Sequence, residues 1–128
     1  MVPEVYKWGS KLRLLVLLTG FAAVQDGFLQ AAAQERSLTR VVYDFAVTSY
    51  CGTLDPEVEA GFRSELAALT QRGGFDAESA KRQRIRGWVE ADEEWRNRGL
   101  GGFRAWCRSE GLAAAQHFRT IARGERQP

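Results

Sequence analysis

Asp92 occupies a position where a carboxylate can do chemistry. On a helix it lies one turn from Trp88 and three residues before Trp95, within an apolar stripe that also holds Ile85 and Val89. A carboxyl group among indoles is pushed toward its neutral form and can then serve as an acid or a base. Structural ion pairs place carboxylates in the same way, and Arg36, Arg40 and Arg96 are available partners. The ion pair is therefore the expected role of Asp92, with a small enzyme using it as acid or base as the alternative.

His117 is the only histidine. A Ser–His or Cys–His nucleophile would have to use it. Cys107 stands ten positions earlier, about 15 Å along a helix, so the two cannot pair locally. A di-iron bundle needs Glu-x-x-His motifs on two helices, which one histidine cannot supply. An ordinary surface or partly buried histidine is expected. The two cysteines, Cys51 and Cys107, lack the paired C-x-x-C spacing of zinc ligands. Glu90, Glu93 and Glu94 form an acidic helix face without the alternating oxygen ligands and glycine turn of a calcium loop. Asp44 is expected to be a solvated carboxylate. Gly99, Gly101 and Gly102 follow a helix and do not match a phosphate loop. No metal, cofactor or catalytic set is expected.

Lys81, Arg82, Arg84 and Arg86 form a basic run, but acids follow within a turn. Arg86 with Glu90, and Glu94 with Arg98, are spaced as i, i+4 pairs worth a few tenths of a kcal/mol. A solvated charged face is expected. The formal net charge of +2 gives no nucleic-acid signature either.

Binding is the function class left. Tryptophan and arginine are enriched in interaction hot spots. Trp88 and Trp95 lie one heptad apart on an apolar stripe and are expected in the core. Trp106 points elsewhere on its helix, because Cys107 beside it is expected to face inward. Trp106, Arg104 and Arg108 are therefore the expected binding residues, presented to another envelope protein.

The elements that must position these residues read as helices. Asp26 is expected to cap a first helix running to Tyr50, with Phe28, Ala31, Ala32, Leu38, Val42, Phe45 and Ser49 on its apolar stripe. Leu54-Asp55-Pro56-Glu57 is a helix start: Asp55 caps, Pro56 fits the first position, and Glu57 and Glu59 favour the positive end of the dipole. Val58, Phe62, Leu66 and Leu69 form its stripe, and Gly73-Gly74 stop it. Asp76 caps a third helix that ends at Gly99. A fourth is expected over about Phe103 to Arg123, with Phe103, Cys107, Ala114, Phe118 and Ile121 on one face. Gly111 is a weak point there, costing about 1 kcal/mol relative to alanine. No stretch alternates long enough to predict a strand.

Four helices with short connections give an all-α fold, expected as an antiparallel up-down four-helix bundle over residues 26–124, with a tail at 125–128. In that order the first and last helices are neighbours, which brings Cys51 and Cys107 together. A disulfide across this loop contributes about 4 kcal/mol in the chain-entropy model.

The N-terminus bears on the compartment. Lys7, Lys11 and Arg13 precede the uncharged run Leu14–Val24. That run is shorter than the roughly 20 apolar residues of a bilayer span but suits a secretory signal peptide, expected over residues 1–24. Small residues allow cleavage after about residue 22, or after Ala31-Ala32-Ala33 at residue 33. The alternative is an uncleaved anchor of a single-pass subunit of an inner-membrane complex, since Phe28, Leu29 and the alanines prolong the apolar character. An even cysteine number in a small chain agrees with export. The expected protein is an exported, periplasmic or secreted binding protein.

Overall fold

The computed structural model describes residues 36–128, which form one compact unit from Arg36 to Pro128. The expected leader or anchor and the Asp26 cap lie outside the described residues. Within them the fold is all-helical: α1 (Leu38–Tyr50), α2 (Pro56–Gly73), α3 (Ala77–Asn97), α4 (Gly99–Trp106), a π turn (Cys107–Gly111) and α5 (Leu112–Ala122). The last three follow one another without a break and make up the expected fourth helix.

The helix starts are set by side-chain caps. Asp55 accepts from the Val58 N–H at 2.8 Å, and Asp76 from the Ser79 N–H at 2.7 Å. Each satisfies a backbone donor that the first turn leaves without a helical partner. Ser37, with extended backbone, caps α1 by accepting from the Arg40 N–H at 3.1 Å. Of the helix expected from Asp26 to Tyr50, the described part is helical only from Leu38, since Arg36 and Ser37 are not helical. The fourth helix starts four residues earlier than expected. The corner needs only Arg98 before α4 begins, because Gly99 and Gly101 take positive φ angles of 64° and 83°.

Two glycines decide which helices pair. A Cβ on Gly61 of α2 would lie 1.9 Å from the Phe118 carbonyl oxygen of α5. A Cβ on Gly87 of α3 would lie 2.5 Å from the Thr39 carbonyl oxygen and 2.9 Å from the Tyr43 nitrogen of α1. At both crossings backbone meets backbone. Accordingly α1 packs most extensively on α3, and α2 on α5, while α1 also touches α2, α5 and the π turn. These are alternate rather than successive helices, unlike the neighbour order of an up-down ring.

The core has two parts. Leu38, Val41, Val58, Leu69, Ala80, Ala115 and Phe118 form one, flanked by Phe45 and Phe62, whose rings stack 3.8 Å apart. Ala46, Val47, Ala91 and Trp106 form the other, beside Tyr43, Tyr50, Trp95 and the cysteines. On α3 the buried residues are Ala80, Gly87 and Ala91. The stripe expected to be buried there is largely turned outward: Ile85, Trp88 and Val89 are all exposed. The close approach at Gly87 selects the small-residue face of α3 for burial, and the large apolar residues lie to one side of it. Ser49, placed on the inward stripe of the first helix, is likewise exposed.

Candidate functional site

The Cys51–Cys107 disulfide is present, with an S–S distance of 2.03 Å and Cα atoms 5.2 Å apart. Cys51 closes α1, and Cys107 opens the π turn. A Cβ on Gly111 would come within 2.8 Å of the Cys51 sulfur. Gly111, expected only as a weak point in the helix, is thus the residue that lets the last helix pass over the bridge.

Around this bridge the aromatic residues form a ladder. Tyr50 stacks on Trp95 at 5.3 Å, and Trp95 contacts Phe103 at 5.2 Å and Trp106 at 6.2 Å. Trp106 is 1% exposed. The expectation that it stands out as a binding anchor is therefore corrected. The helix turns Trp106 into the gap between α1 and α3, with the Arg98 guanidinium over its ring at 5.1 Å. Neighbouring Cys107 is only partly buried. Arg104 and Arg108 are exposed as expected, and Phe103 and Leu112 are exposed near them.

Asp92 lies at the edge of the same ladder. It accepts from the Tyr50 hydroxyl at 3.2 Å and pairs with Arg96. With a side chain 41% exposed, it is a surface ion pair rather than a carboxylate sealed among indoles. Its negative charge, after the burial of the ring, raises the Tyr50 hydroxyl above its ordinary pKa.

A second polar cluster was not legible as such in the sequence. Asp44, expected to be solvated, is 8% exposed. Arg36 pairs with both Asp44 and Glu65, Arg40 pairs with Asp44 at 3.0 Å, and Glu65 meets His117 at 2.8 Å. Burial raises the Asp44 carboxyl above its ordinary range, against the pull of Arg36 and Arg40. Arg126 reaches the other ring nitrogen of His117 at 2.9 Å. A guanidinium can only donate, so Nδ1 accepts and Nε2–H donates to Glu65. Both ring nitrogens of His117 are thus engaged in joining α2 and the C-terminal residues. Asp44, Glu65 and His117 lie on three different helices and Arg36 precedes the first, which hides this cluster from any one helical pattern.

Among the described residues, no group of three or more His, Cys, Asp or Glu side chains is placed to hold a metal, and no helix is long and apolar enough to cross a membrane. Glu90, Glu93 and Glu94 line an open groove between α1 and α3 with Arg40 and Tyr43. Comparison with protein-family models, curated proteins and solved structures returned no match.

Proposed function

We propose that this is a small exported helical protein that works by binding another protein of the cell envelope, as an accessory subunit, inhibitor or adaptor, with no catalysis of its own. The helices serve as a bundle-like scaffold, and the disulfide fixes the last of them as a rigid presenting element. The observation that carries this reading is the pair Arg104 and Arg108. Both are exposed, neither has a carboxylate partner among the described residues, and exposed Phe103 and Leu112 adjoin them. Such a face suits a partner offering carboxylates around an apolar hollow, since guanidinium groups bond carboxylates bidentately. Trp106 supports the face from beneath. Export rests on the basic and apolar N-terminal pattern and on the disulfide, which persists in oxidising compartments.

The test is capture of partners from native envelope under non-reducing conditions, comparing the parent with Arg104→Glu/Arg108→Glu. The expected result is loss of the captured partner with an unchanged melting temperature. Undiminished capture by the double variant, with loss on reversing another exposed charge such as Arg63, would move the binding face elsewhere. The intact mass of the native protein separates a cleaved chain, shorter by roughly 22–33 residues, from a retained single-pass anchor.

A further inference from the structure

The exposed stripe of α3 is self-complementary. Ile85 is 52% exposed, Trp88 42% and Val89 47%, so three large apolar side chains stand together on a helix whose buried side consists of small residues. Trp88 is steadied from within by an edge contact to Phe45 at 6.2 Å. Along this stripe Lys81, Ile85, Trp88 and Asp92 recur at intervals of four, three and four residues. That is the spacing of a seam between two packed helices. The charges are split about its centre. Lys81 stands toward the N-terminal end, with no hydrogen-bond or ionic partner among the described residues, while half-exposed Asp92 stands toward the C-terminal end.

We infer that a second copy of this chain docks on α3, with the two α3 helices antiparallel about a two-fold axis passing between Arg86 and Gly87. Lys81 and Asp92 are equidistant from that point, and so are Ile85 and Trp88. One axis therefore brings Ile85 onto Trp88 of the other copy at the centre and Lys81 onto Asp92 of the other copy at both ends. An isologous interface requires this reciprocity, since each contact must occur twice. A parallel pairing would set lysine against lysine and aspartate against aspartate. Antiparallel alignment also opposes the two helix dipoles favourably. The stripe lies on α3, whereas Arg104 and Arg108 follow it in α4 and the π turn, so substitutions in the two sets test self-association and capture of a different partner independently.

The test is sedimentation of the purified full chain over a wide concentration range, for the parent, Lys81→Glu, Asp92→Lys and the two combined. The parent is expected to dimerise. Lys81→Glu, which sets carboxylates against each other at both ends, is expected to weaken the dimer by about tenfold or more. Asp92→Lys is expected to weaken it similarly, and the combined exchange to recover most of the loss. Because Asp92 also holds Tyr50, Ile85→Glu provides a second probe that touches no internal hydrogen bond; it is expected to give a monomer with unchanged helical content and melting temperature. A parent that stays monomeric throughout would overturn the proposal. So would a dimer insensitive to Ile85→Glu, or a combined exchange no better than either single change while the helical content is intact.

Discussion

Aspartates at three depths show how burial sets what a carboxylate does in this protein. Asp55 and Asp76 lie at helix starts, and backbone N–H groups hold both below the ordinary aspartate pKa of 3.8, with Arg119 adding to the effect at Asp55. Asp44 is pushed the other way by burial. The signs follow from proton linkage. A carboxylate with a lowered folded pKa binds protons less well when folded, so its stabilisation is present above pH 3.8 and is lost as the pH falls through its folded value. Asp44 binds its proton better when folded, so between 3.8 and its raised value it contributes stability that fades as the pH rises. Asp55→Asn keeps a capping oxygen but removes the charge facing Arg119. It is expected to flatten the acid limb of the stability profile below pH 3.8; Asp44→Asn is expected to leave that limb in place and alter the profile above it. Urea midpoints measured against pH read both, and an unchanged acid limb in Asp55→Asn would show that the cap charge is not coupled to folding. The Asp55 cap was legible because the N–H it accepts from, that of Val58, is three residues away. The burial of Asp44 was not, because the cluster around it is completed by Arg36, which joins it to Glu65 of another helix.

The same division holds for whole helices. Several helix starts and stops could be read from Asp55-Pro56, Gly73-Gly74, Asp76 and Gly124, since these signals act within one turn. Which side of each helix faces inward could not. Periodicity weights residues by apolar area and so pointed to Ile85, Trp88 and Val89, whereas α3 buries Ala80, Gly87 and Ala91, where its backbone can approach α1. Trp106 was expected outside for a different reason, that neighbouring Cys107 would face inward; Trp106 is buried and Cys107 only partly so. Gly87→Ala tests the cause. Alanine favours a helix by about 1 kcal/mol over glycine, but its methyl would meet α1 backbone atoms that no rotamer change can move. Overpacking of this kind costs about 1–3 kcal/mol, so a net loss of stability is expected. Gly102→Ala, where the nearest atom outside its own turn is the Arg98 Cβ at 3.4 Å, is the control and is expected to be neutral or stabilising. If both substitutions stabilise equally in denaturant unfolding, close backbone approach does not set the helix pairing.

For the molecule as a whole, the disulfide joins what the helix contacts hold less tightly. The strongest packing is between α1 and α3 and between α2 and α5, so the two pairs rely on thinner contacts with each other. Cys51 belongs to the first pair, and Cys107 leads directly into α5 of the second. Two cysteines 56 positions apart in a chain of expected helices were enough to anticipate the bond, though not that it would tie two pairs together. Constraining a loop of that length lowers the entropy of the unfolded chain by an amount worth about 4 kcal/mol, against a total stability of about 5–15 kcal/mol for a domain of this kind. Cys51→Ala/Cys107→Ala is therefore expected to lower the melting temperature by roughly 15–30 °C, since 1 kcal/mol shifts it by about 4–8 °C at this size. Because the missing bond links pairs rather than closing either one, the melt is also expected to broaden, with hydrogen-exchange protection falling first where α1 meets α5 and the π turn, and persisting longest in α1 against α3. A narrow transition with uniform loss of protection would mean that the two pairs fold as one unit with or without the bridge.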